Sequence, residues 1–318
     1  MTGSELLLVS SVDALVGDPR WMPHPVRGMG RFIAWCDDHV RAICHGPVGL
    51  RTAGLCLAVG LPGLVYAIGY IAIDGAASLS AWIGAAVSIV LASTTLAGRD
   101  LWDHVRTVRE QLKHRNLAGA RQAVAMIVGR DTGQLSESEL IRATVETLAE
   151  STADGMVAPL FYLAIGGAPL ALAYKAINTL DSMVGHRDER HIDFGWASAR
   201  LDDVVNWIPA RLTALLLLVA AGLLTGQADR MMNGWRVLWR DGGQHPSPNS
   251  GRPEAAMAGA LGVQLGGRNY YDGIPHERPF IGEASRELIV EDITVAMQMM
   301  VIACVLGVVM AAGVLWLL

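Results

Sequence analysis

The sequence predicts an all-α, polytopic integral membrane protein with four to five transmembrane helices, a candidate re-entrant broken helix and helical polar loops. Three observations predict it. Hydrophobic residues make up 52% of the 318 positions and charged residues only 17%, against about 25% charged in ordinary soluble domains. The charges are segregated, leaving long stretches with none. Those stretches approach or exceed the roughly 20 apolar residues that a helix needs to cross a bilayer core.

The spans follow in order. Residues 52–73 carry no charge over 22 positions, and 75–98 are likewise uncharged, with only Asp74 between them. Residues 155–177 are apolar but interrupted by Pro159 and by Gly166-Gly167-Ala168-Pro169. Each half is too short to span, a pattern found in broken or re-entrant helices beside polar sites and also in kinked spans. The Leu-rich run 212–226 reaches spanning length only as 204–226, which includes Pro209 and Arg211. Residues 293–318 are uncharged throughout. The stretch Leu6 to Val16 is broken by Asp13 and lacks a basic flank, so it does not read as a signal peptide. Cys36, Cys44, Cys56 and Cys304 form no CxxC pair, which argues against a zinc site or a disulfide framework. No flexible linker or repeat divides the chain, so 1–318 reads as one domain.

Basic residues set the sidedness argument. The segment 99–154 holds eight and 227–292 holds seven, whereas 178–203 holds three against six acidic residues. The positive-inside tendency puts the first two in the cytoplasm. With five full crossings, 178–203 then faces outward, and the sequence leaves its side open. Within 99–154, helices are expected over Leu101–Arg115, Leu117–Val128 and Ser138–Thr152, the last opened by a capping box at Ser136 and Glu139.

Three constellations carry candidate chemistry. Glu146, Glu150 and Asp154 are spaced i, i+4, i+8 on the third of these helices, with Arg142 one turn earlier. Glu150 and Asp154, joined by Asp181, are candidate Mg²⁺ ligands, since hard cations prefer carboxylate oxygens; a solvated acidic face offset by Arg142 is the plainer alternative. Glu146 is a candidate catalytic residue. Next comes the stripe Lys175, Asn178, Asp181, followed by His186 and Arg187. Lys175, one of two lysines in the chain, lies among Leu172, Tyr174 and Ile177. Ionisable groups at membrane depth are costly and commonly functional, although a lysine can also snorkel to the interface. Lys175, Asn178 and Arg187 are the other candidate catalytic residues. The third is His245 to Glu254, a polar turn before a small-residue helix with Pro253 suited to its first turn. Ser247, Asn249, Arg252 and Glu254 are candidate substrate or phosphate contacts there, since a helix start favours anions. His24, in a proline-rich loop, Arg130, and Arg200, beside Asp202, Asp203 and Asn206, are further candidates for substrate binding.

A P-loop, a strand-linked GxGxxG and an HExxH are all missing. No basic tract with interleaved aromatics suggests nucleic acid.

At these residues the chain resembles the CbiB/CobD family, the adenosylcobinamide-phosphate synthases of cobalamin biosynthesis. The carriers are GDPRWMPHPVRGMGR at 17–31, GRDTGQLSESELIRATVETLAESTADG at 129–155, YKAINTLDSMVGHRDER at 174–190, FGWASARLDDVVNWIPARL at 194–212 and HPSPNSGRPEAAMAGALGVQLGG at 245–267. Ser151, where Asn is expected, and Ser250, where Ala is more usual, depart from the pattern. The resemblance implies an ATP- and Mg²⁺-dependent ligase that joins aminopropanol phosphate, or a related amino-alcohol phosphate, to a propionate carboxylate of adenosylcobyric acid. It implies a multi-pass inner-membrane protein with a cytoplasmic active site, a corrinoid substrate and a lipid bilayer as partners, and no nucleic acid; a homo-oligomer stays open. Two other classes stay open as well. A transporter is suggested by the broken segment with Lys175, and would need a gradient. A prenyltransferase-like enzyme is suggested by Asn178/Asp181 and Asp202/Asp203, and would use no ATP.

Overall fold

The computed structural model describes residues 1–317 except Arg20, Met22, His45, Arg187 and Asp272. It is 75% helical. Thirteen helices run in chain order among the described residues: α1 Gly3–Val16, α2 Pro25–Ile43, α3 Pro47–Leu79, α4 Ala81–Ser93, α5 Gly98–Lys113, α6 Leu117–Ala125 and α7 Glu137–Thr152. A π-turn, Ala153–Val157, joins α7 to α8 Ala158–Val184. Then follow α9 Trp196–Val205, α10 Trp207–Thr225, α11 Ala228–Asp241, α12 Gly251–Leu261, strands β1 Gln264–Tyr271 and β2 Ile274–Gly282, and α13 Val290–Leu317. Five helical stretches are long and apolar enough to cross a membrane: Pro47–Leu79, Ala81–Lys113, Glu137–Val184, Trp207–Thr225 and Val290–Leu317. The protein is a polytopic, predominantly helical membrane protein.

Some boundaries differ from the sequence expectation for clear local reasons. Asp74 does not end the first span, and α3 runs on to Leu79, making 33 residues or about 50 Å of helix. The break falls at Ser80, whose side chain accepts the Trp82 N–H at 3.3 Å and so starts α4. The broken segment breaks where glycine allows it. Gly167 adopts φ +66°, ψ −163° inside α8, directly before Ala168-Pro169, a conformation that costs a side-chain-bearing residue dearly. Pro159 follows directly on the π-turn, where the regular α-helical hydrogen-bond ladder is already interrupted. The capping box forms as expected: the Glu139 N–H donates to Ser136 Oγ, and the Ser136 N–H donates to Glu139 Oε2 at 2.8 Å.

The chain folds into two compact units, Met1–Ala97 with Ala158–Asn206 and Val308–Leu318, and Gly98–Val157 with Trp207–Gly307. In the first, α3 packs on α8, α4 and α9, and α2 packs on α8. Met29, Ile33, Leu61, Leu172, Leu180 and Phe194 form its buried cluster. Asp37 of α2 receives Arg41 at 2.7 Å and Arg190 at 2.6 Å, which ties the 185–195 connection to α2.

In the second unit α12 is buried along its whole length against α10 and α11. Small residues make this approach feasible: a Cβ on Gly259 would lie 2.7 Å from Gly234 Cα and 2.8 Å from the Asn233 carbonyl. The two strands form an antiparallel hairpin with a bulge between Leu265 and Gly267. Sequence reading expected only helical loops here, because Gly266, Gly267, Pro275 and Pro279 mask the alternation of a strand.

Helices α10 and α11 form an antiparallel pair. Gly222 faces Met231 at 3.7 Å between β-carbon positions, and Gly234 abuts Leu218 near the middle of α10. If α10 crossed the bilayer, exposed Arg236 on α11 would lie beside its midpoint and exposed Arg240 about one turn away. Each charge there costs about 2.5–3.5 kcal/mol even on insertion scales. We therefore expect α10 to be a core helix of a polar unit and not a span. A cysteine replacing Arg236 should react with a membrane-impermeant maleimide in vesicles opened to the loop side. Protection from both sides would restore α10 as a crossing helix.

Candidate functional site

In the second unit, a buried network of charges joins α7, α12 and the hairpin. Glu146 of α7 accepts a hydrogen bond from Arg130 Nη2 at 2.6 Å and from the Gly266 N–H at 2.8 Å. Arg130 also donates to Asn269 Oδ1, which Arg142 reaches at 3.1 Å. Arg142 donates further to the carbonyls of Gly266 and of Arg268. The side chains of Arg130 and Glu146 are each only 6% exposed, so this is a desolvated ion pair. Glu150, one turn on, accepts from Ser250 Oγ at 2.8 Å. The departure from Ala at 250 thus adds a hydrogen bond between the loop and α7.

Glu254, in the first turn of α12, is 2% exposed. Burial first, then the charges of Glu146 and Glu150, pushes its carboxyl well above the usual carboxylate range. Its Oε1 has no hydrogen-bond partner among the described residues. His245 is pushed below its usual range by burial and by the charge of Arg278. The Ser247 N–H donates to His245 Nδ1 at 3.0 Å, so this nitrogen is an acceptor. Burial works against the charge of Arg278, yet Tyr271, Glu254, Glu150 and Glu146 around it raise its pKa.

The expected phosphate cradle before α12 is arranged differently from the sequence reading. Ser247 Oγ accepts the N–H groups of Asn249 and Ser250, at 3.2 and 3.3 Å, closing a serine turn. The N–H groups of Asn249 and Ser250, just before α12, are therefore occupied within the turn, and guanidinium groups supply the positive charge of this centre. Asn249 is buried, and Arg252 lies along Gly242 and Gly243.

The first unit has a separate polar centre. Asp202 of α9 is buried and accepts from Asn206 Nδ2 at 2.9 Å and Asn178 Nδ2 at 3.5 Å. Burial, then the nearby charge of Asp181, pushes its pKa up to about 7. Tyr174 donates to Asn206 Oδ1 at 2.9 Å and stacks on Tyr162 at 4.9 Å. Lys175, Asn178 and Asp181 are half-buried on the part of α8 that follows the Gly167 break.

Of the expected residues, Arg130, Glu146, Glu150, Ser247, Asn249, Arg252 and Glu254 thus belong to the second unit's loop and helix region, and Asn178 joins Asp202 in the first. His24 pairs with Asp18 at 3.0 Å, and Arg200 lies exposed beside Asp203 at 3.2 Å. Arg187 lies outside the described residues. Asp154 falls in the π-turn, whose wider pitch takes it out of strict register with Glu146 and Glu150. Among the described residues, no group of three His, Cys, Asp or Glu side chains is gathered to hold a metal ion. Sequence reading missed Asn269 and Arg278, because both lie on the unrecognised hairpin.

Comparison with known proteins supplies the decisive observation: the family model described as CobD/Cbib protein matches residues 6–300. The chain belongs to the CobD/CbiB family. It is 48% identical over 286 residues to the cobalamin biosynthesis protein CobD of Geobacter metallireducens, covering 90% of this chain and 88% of that one. It is 45% identical over 299 residues to the cobalamin biosynthesis protein CbiB of Salmonella typhimurium, covering 93% and 92%. The corresponding CobD of Klebsiella pneumoniae is 45% identical over 303 residues, covering 95% and 94%. No solved structure matches. The CobD/CbiB match spans both polar centres: motif 129–155 supplies Arg130, Arg142, Glu146 and Glu150, motif 245–267 supplies Glu254, and motif 174–190 supplies Lys175 and Asn178.

Proposed function

We propose that this protein acts in cobalamin biosynthesis as the synthase that joins an amino-alcohol phosphate, aminopropanol phosphate or a close relative, to a propionate carboxylate of adenosylcobyric acid. The observation that carries this reading is the buried cluster of Arg130, Arg142 and Arg278 with Glu146 and Glu254 in a member of the CobD/CbiB family. A carboxylate is a poor acyl donor. In the proposed reaction it attacks the terminal phosphorus of ATP, releasing ADP and forming an acyl phosphate. The amine then attacks the acyl carbon; the C–N bond forms, the C–O bond to phosphate breaks, and inorganic phosphate leaves. Guanidinium groups in a dehydrated setting suit such phosphoryl chemistry, which depends on positioning and charge neutralisation. Lys175, Asn178, Glu146 and Arg187 remain the proposed catalytic residues.

Mg²⁺ enters this proposal as the companion of the ATP phosphates, which with water supply most ligands of such an ion. Among the described residues, no three carboxylates are gathered into a resident site. The set Glu150, Asp154 and Asp181 gains no support from the packing among the described residues. The proposed setting is the inner membrane with the reaction on the cytoplasmic side.

The test is direct. Purified full-length protein in detergent should form adenosylcobinamide phosphate from the two substrates, ATP and Mg²⁺, releasing one ADP per amide. Omitting ATP or chelating Mg²⁺ should stop product. Product formed without ATP would overturn the ligase reading, and substrate movement that needs a gradient would point to a transporter.

A further inference from the structure

Glu254 presents an unusual hydrogen-bonding deficit. Its side chain is enclosed, and one carboxyl oxygen, Oε1, accepts nothing among the described residues. An unmet buried polar atom carries a desolvation penalty, and native proteins leave few of them. Buried donors of the same unit are also without a hydrogen-bond partner among the described residues: Asn269 Nδ2 and the Nε atoms of Arg252, Arg109 and Arg142. Asn269 has its Oδ1 held between Arg130 and Arg142, which fixes which end of the amide carries the spare N–H groups. An unmatched acceptor with unmatched donors in the same unit suits a ligand that has both a cationic donor and an anionic acceptor. An amino-alcohol phosphate has both.

We propose that Glu254 Oε1 receives the ammonium group of the amino-alcohol phosphate and makes this residue the determinant that distinguishes the amine from a plain alcohol phosphate. The inference rests on the substrate class given under Proposed function. Burial, then the nearby charges of Glu146 and Glu150, raises the Glu254 carboxyl, while Arg278 and Arg130 act the other way. A bare metal ion suits it less well, because no trio of carboxylate or imidazole ligands is assembled among the described residues. A primary ammonium, with three short-range donors, needs only one strong acceptor and weaker neighbours. The anionic end of the ligand would take the spare Asn269 and Arg252 N–H groups.

The experiment compares two ligands by calorimetry on the detergent-solubilised full chain: 1-amino-2-propyl phosphate, and isopropyl phosphate, which lacks the amine. Wild type should bind the first at least tenfold more tightly. In Glu254→Gln, which matches the carboxyl in shape, that preference should shrink to about twofold or less, through weaker binding of the amine alone. Glu254→Asp, which keeps the charge, should retain part of the preference. It guards against misfolding of the first variant, as does a thermal unfolding profile of each. A tenfold preference that persists in a folded Glu254→Gln overturns the assignment while leaving the reaction intact. A wild type that binds neither ligand, or binds both alike, overturns the substrate reading and this inference with it.

Discussion

Arg130→Ala should destabilise the protein by about 3–5 kcal/mol, the cost of leaving one partner of a buried ion pair uncompensated. Arg130 and Glu146 are 2.6 Å apart, and both side chains are almost wholly out of solvent. The substitution strands the Glu146 carboxylate with one backbone N–H, from Gly266, and the more distant Arg142 at 3.8 Å. It also removes a donor from Asn269 Oδ1, although Arg142 still reaches that atom. Because Arg130 joins the loop before α7 both to Glu146 of α7 and to Asn269 of the hairpin, its loss should loosen the hairpin as well as the site. Thermal unfolding in detergent measures the effect. The control is Arg130→Met with Glu146→Leu: an apolar pair of similar bulk should recover a large part of the loss, since a buried ion pair adds little over a well-packed apolar one. A single substitution costing under about 1 kcal/mol would place the pair among solvated surface bridges, and the account of a dehydrated charge network would fail.

The legible parts of the fold were those encoded by local chemistry. Ser136 and Glu139 announce the start of α7 three residues apart, and the structure forms both reciprocal bonds. Gly166-Gly167-Ala168-Pro169 announces the break in α8, and Gly167 takes the left-handed backbone there. The small residues at 255–260 announce close helix packing, and Gly259 meets Gly234. What depended on distant partners was hidden. Asp74 looks like a span boundary by charge, but helix propagation carries α3 past it to Leu79. The hairpin's Gly266 and Gly267 adopt positive φ in a bulge, so its side chains do not alternate, and Arg278 and Asn269 could not be connected to Glu254 and Arg130. The apolar run of α10 is indistinguishable by composition from a span; its pairing with the arginine-bearing α11 is visible only in three dimensions.

The candidate site shows the same division. The carboxylates of α7 were found from spacing, and Glu150 and Glu146 do lie on a network side. Arg142, offered as the offsetting charge one turn earlier, does pair with Glu146 at 3.8 Å, but the spacing of acidic residues says nothing about Arg130 and the Gly266 amide, which arrive from elsewhere. The turn at Ser247 was correctly placed before a helix. Its hydroxyl, however, caps the turn's own N–H groups, a local competition that a phosphate-cradle reading overlooks.

Lys175→Arg and Lys175→Met should both insert and fold, and both should lose about a hundredfold in turnover, equivalent to roughly 3 kcal/mol of transition-state stabilisation. The chain has 23 arginines and two lysines, so a lysine here is not its habitual cation. Lys175 follows the Gly167 break on α8, flanked by buried Tyr174 and Ala176, and is itself half-buried on the same helical face as Asn178. That face turns toward the Asp202 and Asn206 centre through the Asn178 bond to Asp202. A lysine presents a compact charge with three donors, whereas arginine presents a wide planar fork. A site shaped around one phosphoryl or carboxylate oxygen should therefore reject arginine even though the charge is kept. Methionine removes the charge but keeps a similar unbranched apolar stem, so its folded state tests charge alone. A lysine that merely reaches for the interface would behave otherwise, because arginine snorkels equally well. Turnover is read with saturating ATP and both co-substrates, and unfolding profiles show whether each variant keeps its fold. Near-normal turnover in Lys175→Arg would remove Lys175 from the reaction and return it to a lipid-facing or structural role, while the amide-forming reading would stand on the Arg130 and Glu146 network alone.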